Sequence, residues 1–371
     1  MAGGARIHGV TPELPLGRLY STGNNSSGQL GHGDTTNLSS LVQIGSLFGW
    51  SFLRAGRSVS FGLREGKAFS WGYSFYGQLG HNNRTSLSSP VQIGAATDWS
   101  WITTSLYSVM GIRNGSLFGW GRNQVGEVGD GTRTQRSSPV LIGGFTDWTR
   151  VGSLGGTVGS LGGTVGGIRS GMLFTWGSNT TGALGYPTAL TMNSSPVQVG
   201  AETDWEEIAS GPAFCAAIRS GMLFTWGRNT EGQLGLDDTT PRSSPVQVGA
   251  ETDWTSVSCA AGYVFGIRAG KLFAWGYNFY GELGLGDRTT YSSPVQVGSD
   301  ADWTVVSGGY NSSTGVRAGK LFTWGRNNVG QLGQGDLVDR SSPTQVGSST
   351  NWSMASISHP AGSNDHLLAS R

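Results

Sequence analysis

Few side chains in this chain of 371 residues have the type and spacing that catalysis or metal binding requires. The histidines do not show the spacing of zinc ligands; they are His8, His32, His81, His359 and His366. The sequence contains no nucleophile elbow, phosphate-binding loop or dinucleotide-binding fingerprint. We therefore predict that the protein is not an enzyme, that it carries no cofactor and no metal ion, and that it has no small-molecule substrate.

Three acidic segments contain the oxygen ligands that calcium prefers, at 129–132 (GDGT), 236–238 (LDD) and 284–287 (GLGD). They lack the ligand spacing of a known calcium loop. We interpret all three as polar turns.

One arginine recurs at regular intervals and could form a basic ring; the series is Arg64, Arg113, Arg169, Arg219, Arg268 and Arg317. Aspartates recur as well, each directly before a tryptophan, at Asp98, Asp147, Asp204, Asp253 and Asp302. We predict that the two series form repeated structural ion pairs or turn caps rather than a binding surface.

The overall composition argues against several classes of partner. Only 13% of the residues are charged and the formal net charge is +1, so the basic excess typical of nucleic-acid binders is missing. No apolar run is long enough to cross a membrane, and the N-terminus lacks the apolar core of a signal peptide. We expect a cytoplasmic protein, or a virion protein if the source is viral. Cys215 and Cys259 are interpreted as small core residues.

The elements that would position any site are organised by an internal repeat. The pattern W-G-x-N-x-x-G-x-L-G begins at or near six tryptophans, here called the motif tryptophans: Trp71, Trp120, Trp176, Trp226, Trp275 and Trp324. A seventh copy begins at Thr22, where threonine replaces tryptophan. A second series, the strand-one tryptophans, comprises Trp50, Trp99, Trp148, Trp205, Trp254, Trp303 and Trp352.

Each repeat predicts four short strands, for example at 254–260, 263–268, 271–276 and 292–298. An x-Gly pair joins the second and third strands, as expected of a two-residue hairpin loop, and a proline in the fourth strand suits an outer edge. Seven such units predict an all-β fold, a seven-bladed β-propeller of four-stranded blades. The segments 18–23 and 366–371 predict a closing blade shared between the two termini.

The predicted domains are an N-terminal arm at 1–17, which could dock on a neighbour, and a single propeller at 18–371. Its blades are expected at 50–98, 99–147, 148–204, 205–253, 254–302, 303–351, and 352–371 together with 18–49. The third blade is lengthened by a duplicated GSLGGTV, at 152–158 and 159–165. The sequence leaves open whether this duplication is functional.

The phrase W-G-x-N-x-x-G-Q-L-G, preceded by I-R-x-G-x-L-F and followed by S-S-P-V-Q-V, resembles the repeat of the regulator of chromosome condensation family. The resemblance covers residues 18–371 and implies a seven-bladed propeller. It also implies guanine-nucleotide exchange as one possible activity. The family often carries a histidine after a glycine pair in the first strand, where this chain has Leu106, Ala213, Tyr263 or Tyr310. Exchange is therefore the least favoured of the functions considered.

Adjacent strands alternate in direction, so connections one–two and three–four share one face of the disc, whose sequences vary between repeats. We predict that a protein partner or assembly neighbour binds there, since recognition residues concentrate in loops on a rigid frame. The candidate contacts are Phe75, Tyr76, Tyr107, Tyr263, Phe279, Tyr280 and Tyr310. An alternative for the tyrosines that precede glycine is packing beneath their own loops.

The function predicted is a non-enzymatic propeller scaffold that binds a macromolecular partner through this variable face. One alternative is a structural or host-contacting component of a virion or similar large assembly. A guanine-nucleotide exchange factor is the third possibility.

Overall fold

The computed structural model describes residues 17–104, 107–152, 163–358 and 365–371. These residues form seven antiparallel sheets of four strands each, arranged as the blades of a ring. The predicted all-β, seven-bladed propeller is confirmed. In the part of the chain just defined, no helix is long and apolar enough to cross a membrane.

The strands, in chain order, are β1 (Leu19–Gly23), β2 (Leu38–Gln43), β3 (Trp50–Gly56), β4 (Val59–Arg64), β5 (Lys67–Gly72), β6 (Leu87–Gln92), β7 (Trp99–Thr104), β8 (Ser108–Arg113), β9 (Ser116–Gly121), β10 (Arg136–Leu141), β11 (Trp148–Val151), β12 (Thr164–Arg169), β13 (Met172–Ser178), β14 (Met192–Gln198), β15 (Trp205–Gly211), β16 (Phe214–Arg219), β17 (Met222–Gly227), β18 (Arg242–Gln247), β19 (Trp254–Cys259), β20 (Tyr263–Arg268), β21 (Lys271–Gly276), β22 (Tyr291–Gln296), β23 (Trp303–Gly308), β24 (Ser312–Arg317), β25 (Lys320–Gly325), β26 (Arg340–Gln345), β27 (Met354–Ile357) and β28 (His366–Ser370). Blades one to six take β3 to β26 in groups of four, and blade seven consists of β27, β28, β1 and β2.

Blade seven closes the ring with strands from both ends of the chain. Its order is β2-β1-β28-β27, and β1 pairs with β28 in unbroken antiparallel register from Leu19↔Ser370 to Gly23↔His366. The predicted sharing of the closing blade between the termini is confirmed. This pairing leaves no open sheet edge between the first and last repeats.

The x-Gly turns between second and third strands have the predicted geometry. In blade one, Glu65 and Gly66 have φ angles of 51° and 69°, and such positive values are those of a type I′ hairpin. A Cβ atom at Gly66 would lie 2.0 Å from the carbonyl oxygen of Thr97, so only glycine fits. The Gly66 carbonyl also accepts the backbone N–H of Trp99 at 2.9 Å, which ties the turn to the start of the next blade.

The fourth strand lies at the outer edge of each blade, as its proline predicted. In blade one, β6 pairs with β5 through Val91↔Ser70 and Leu87↔Gly72, and the register shifts between these pairs. Pro90 lies in this bulge, where the ladder requires no backbone N–H from it.

The motif tryptophans are completely buried and join neighbouring blades. Each indole Nε1–H donates to the carbonyl of the second residue in the G-x-L-G of the preceding blade, which reads G-E-V-G in blade two. Trp275 donates to Gln233 at 3.0 Å in this way, and Trp324 donates to Glu282 at 2.7 Å. At Gly235, which ends the G-x-L-G of blade four, a Cβ atom would lie 2.8 Å from Trp275 Nε1. Glycine is therefore needed where the indole approaches.

The strand-one tryptophans are buried too, but they pack without a hydrogen bond at the indole nitrogen. Trp254 meets Trp275 edge-on with ring centroids 6.1 Å apart, and Phe273 at 5.5 Å. The Nε1 atoms of all seven are buried and have no partner among the described residues. This series contributes apolar area and shape rather than a directional contact.

The regularly spaced arginines lie over these rings and form the predicted ion pairs. The Arg268 guanidinium lies 5.5 Å from the Trp254 ring centroid, 3.6 Å from Asp253 and 2.8 Å from Glu251. Equivalent arginine–aspartate pairs involve Asp98, Asp147, Asp204 and Asp302. The predicted ion pairs are confirmed for five of the six arginines. Arg64 instead lies 3.8 Å from Glu65, because Gly49 and not an aspartate precedes Trp50. Cys215 and Cys259 are free and buried, as expected of core residues.

A matched pair of substitutions separates the two tryptophan series. We expect Trp275→Phe to lower the free energy of unfolding by about 1–2 kcal/mol more than Trp254→Phe. Both changes remove similar area, but only the first leaves a buried carbonyl, that of Gln233, without its donor. Denaturant unfolding of the two variants measures the difference. Equal losses would show that the inter-blade hydrogen bond does not stabilise the ring.

Candidate docking face

Connections one–two and three–four lie on the same face, as the strand directions predicted. The backbone N–H of Tyr73, which begins a three–four connection, donates to Ser58 O in the one–two connection of the same blade at 2.8 Å. In blade five, Tyr277 N–H donates to Gly262 O at 2.9 Å. We call this side of the ring the loop face.

Four aromatic residues from blades one and two form a first cluster on the loop face: Tyr73, Phe75, Tyr76 and Tyr107. Phe75 stacks on Tyr73 at 6.3 Å and meets Tyr76 edge-on at 5.0 Å. Tyr76 contacts Tyr107 of blade two at 4.6 Å. The Arg57 guanidinium covers Tyr107 at 5.4 Å, and 56% of Phe75 is exposed. The cluster is therefore a solvent-facing apolar surface with a cation at its edge.

A second cluster in blade five, Tyr277, Phe279 and Tyr280, repeats the arrangement of Tyr73, Phe75 and Tyr76, and Tyr310 of blade six lies near it. Tyr277 and Phe279 stack at 6.5 Å, and Phe279 meets Tyr280 edge-on at 4.9 Å. The Arg326 guanidinium lies 4.9 Å from the Tyr280 ring centroid, and 60% of Phe279 is exposed. Burial, together with the nearby Glu282, Tyr280 and Tyr310, raises the pKa of Tyr277 to about 12.

Five of the seven predicted contact residues make ring contacts within these clusters, and Tyr310 lies near Tyr277. Tyr263 is wrong as a surface contact. Tyr263 is completely buried, and its hydroxyl donates to the Ser312 carbonyl at 3.0 Å. As the first residue of β20, it points into the next blade, where Gly308 leaves room for its ring. Tyr76 and Tyr280 are half-buried, and each also contacts the exposed phenylalanine of its own loop.

Sequence reasoning missed the tyrosines at the base of each cluster, Tyr73 and Tyr277. A signal existed, because only these two repeats read W-G-Y, whereas others read W-G-R or W-G-S. Four predicted features lie wholly or mainly outside the described residues: the arm at 1–17, Leu106, His359 and the duplicated segment at 152–165.

The three acidic segments use their carboxylates within their own turns, which supports their interpretation as polar turns. Asp130 pairs with Arg136 at 2.7 Å, Asp238 pairs with Arg242 at 2.6 Å, and Asp287 accepts from Tyr291 at 2.8 Å. Across residues 17–104, 107–152, 163–358 and 365–371, no group of three or more His, Cys, Asp or Glu side chains is placed to hold a metal ion.

The loops beneath the two clusters differ at two buried positions, and the first of them changes the hydrogen bonds within the loop. In blade five, Asn278 Oδ1 accepts the backbone N–H of Leu283 at 2.9 Å, and its Nδ2 donates to Thr289 O at 2.9 Å. Blade one has Ser74 at this position, too short to make either bond. The buried Ser74 Oγ and Gln78 Nε2 have no partner among the described residues. The first cluster therefore stands on a less firmly anchored loop.

A reciprocal exchange tests this difference. We expect Ser74→Asn to raise the free energy of unfolding by about 1 kcal/mol and Asn278→Ser to lower it by about 1–3 kcal/mol. Hydrogen exchange of the 73–86 loop should slow in Ser74→Asn and that of the 277–290 loop should quicken in Asn278→Ser. If Ser74→Asn destabilises the chain, the space beside Ser74 is not equivalent to that of blade five.

Glu282 introduces a titratable group directly beneath the second cluster. One carboxylate oxygen accepts the Tyr280 N–H at 2.8 Å, while Oε1 is buried without a partner. Burial raises the pKa of Glu282 to about 7 from its ordinary 4.5. Blade one has the neutral Gln78 in the same role, accepting the Tyr76 N–H at 2.9 Å.

The raised pKa predicts how the stability of the variant Glu282→Gln, relative to wild type, changes with pH. Between pH 4.5 and about 7 the folded chain binds the proton more tightly than the unfolded chain, so the stability contributed by Glu282 falls as pH rises. We expect Glu282→Gln to be more stable than wild type by about 1–3 kcal/mol at pH 8, and by much less at pH 4.5. Urea unfolding at both pH values measures the difference. A constant offset between the two proteins would contradict the raised pKa.

The chain was compared with known families and structures. The family model described as "Regulator of chromosome condensation (RCC1) repeat" matches residues 65–106, 114–153, 170–218, 220–267, 269–316 and 318–369. No curated protein sequence matches.

Similar solved structures include human WBSCR16, at 17% identity and TM-score 0.81, covering 95% of this chain and 98% of that one. Prp20p from Saccharomyces cerevisiae is 17% identical at TM-score 0.80, with 96% and 92% covered. Yeast RCC1 (Prp20), solved with bound Kap60, is 17% identical at TM-score 0.83, with 100% and 94% covered. These likenesses describe the fold.

Proposed function

Because the chain belongs to the regulator of chromosome condensation repeat family, we propose that it is a non-enzymatic scaffold that binds a protein partner through the loop face. The family's repeat supplies a rigid ring, and the connections that the repeat leaves variable supply the contacts. Partner binding is therefore assigned to the two aromatic clusters.

The observation that carries this proposal is the repetition of one exposed arrangement in two separate blade pairs. In both pairs, a three–four connection supplies Tyr-x-Phe-Tyr with its first tyrosine stacked on the phenylalanine. The following blade adds Tyr107 in direct contact with Tyr76 in the first pair, and Tyr310 near Tyr277 in the second. An arginine covers a tyrosine ring in each cluster, Tyr107 in one and Tyr280 in the other. Exposed aromatic residues beside arginine have the composition of interface hot spots. On the opposite face Arg219, Arg268 and Arg317 form ion pairs with carboxylates. Arg169 covers the exposed Phe145 there, but within the described residues Phe145 contacts no second aromatic ring.

Proteins of the same fold support a protein as the class of partner. Prp20p was examined for its binding to Gsp1p and histones, and yeast RCC1 (Prp20) was solved bound to Kap60. At 17% identity these proteins share the fold with this chain, so their partners are not transferred to it. We propose an intracellular adaptor first, and the structural component of a large assembly as the alternative role for the same face.

The proposal is tested by substituting the most exposed residue of each cluster. Partners are crosslinked to the wild-type chain in native lysate, identified, purified and titrated. We expect Phe75→Ser with Phe279→Ser to raise the dissociation constant at least about tenfold, because truncation of aromatic anchors costs about 2 kcal/mol or more. Co-purification with intact particles instead of a free partner would favour the assembly role.

The matched control is Phe145→Ser, which removes a phenylalanine of similar exposure, 53%, from the opposite face. Phe145 lies in a four–one connection before Trp148, so this variant should bind the partner as wild type does. Loss of binding in Phe145→Ser with retention in the double variant would place the partner on the opposite face. Thermal melts of all three proteins verify that the ring remains folded.

A further inference from the structure

The first strands of the seven blades surround the central axis. Each lies at one end of its sheet, and first strands of neighbouring blades contact one another. The fifth residue of each, counted from the strand-one tryptophan, forms one level of the ring. This fifth-residue ring consists of Arg54, Thr103, Gly152, Ala209, Ser258, Ser307 and Ser356.

The ring presents hydrogen-bond donors without matching acceptors. Ser258, Ser307 and Ser356 each accept a backbone N–H from the next blade, from Gly308, Ile357 and Ala55 respectively. A serine hydroxyl that accepts still has its own proton to donate. Within the described residues these three protons have no acceptor, and the buried Thr103 Oγ1 has no partner.

Arg54 is the single long side chain of this ring, and its charge is uncompensated. Its Nε is buried without a partner, and no carboxylate of the described chain lies within ion-pairing distance. The guanidinium lies 5.7 Å from the centroid of the Phe52 ring. Burial lowers the pKa of Arg54 to about 10, so the group is still a cation at neutral pH. Arg150 lies on the first strand of blade three, two residues nearer the opposite face. Unlike Arg54 it has an acidic neighbour, because its charge acts to lower the pKa of Glu207 in the next blade.

We propose that the fifth-residue ring is a binding site for a small free oxyanion of the carboxylate or phosphate class. The planar guanidinium of Arg54 matches two oxygens of such an anion, and the hydroxyls of Ser356 and Thr103, in the blades on either side, supply further donors. The other six residues have small side chains or none, so Arg54 alone projects a long side chain from this level. An unpaired cation and a set of unused donors both gain partners when an anion enters.

The test uses the full chain, titrated with sodium phosphate and separately with sodium acetate against a sodium chloride series of equal ionic strength. Calorimetric titration and the thermal midpoint are measured. We expect saturable one-site binding of at least one of the two oxyanions, with the midpoint rising by a few degrees above the chloride series. Arg54→Met should abolish both effects, and without added oxyanion it should melt no lower than wild type. Ser356→Ala should weaken affinity about tenfold.

Arg84→Met is the control, since it removes an equal charge from an exposed loop residue. It should bind the oxyanion as wild type does. The proposal is overturned if Arg54→Met keeps wild-type affinity, if Arg84→Met loses binding to the same extent, or if phosphate and acetate act no differently from chloride.

Discussion

The propeller depends on one contact, the indole N–H of each motif tryptophan donating to a backbone carbonyl of the preceding blade. Four features of the repeat make this contact possible: the tryptophan, the glycine that leaves room for the indole, the leucine beside that glycine, and the repeat length, which brings the tryptophan of one blade against the preceding blade. At the closing blade the indole is missing: Thr22 Oγ1 donates to Leu38 O of its own blade at 2.7 Å and lies 3.1 Å from Gly330 O of blade six. The β1–β28 pairing joins the two chain ends within blade seven, so the interface with blade six is built without the indole contact that joins the other blades.

Much of this fold could be predicted because every blade repeats the same local chemistry. The x-Gly pair predicts a hairpin wherever it occurs, and Glu65 with Gly66 has the expected positive φ angles. The arginine–aspartate pairs were predictable for the same reason, since both residues keep constant positions in each repeat. The shared closing blade followed from two half-repeats at the ends of the chain.

The candidate site was less predictable because its contacts join different blades. Tyr263 occupies a loop-like place in the sequence, but whether it faces solvent depends on Gly308 of the neighbouring blade, which admits its ring. Tyr76 and Tyr107 meet only when two blades pack side by side. Nothing in the sequence distinguishes Arg54 from other arginines. The absence of an acidic partner for it among the described residues becomes visible only when the seven first strands are placed round one axis.

The two aromatic clusters stand three blades apart on a ring with an odd number of blades. No rotation by half a turn about the axis superimposes one blade on another, so a twofold-symmetric dimer centred on that axis cannot engage both clusters equivalently. A single chain carrying two matching segments joined by a linker can. Its second segment would then bind at a high local concentration set by linker length, and avidity would grow without any new contact. The spacing of the clusters would thus select partners by the distance between their two binding segments.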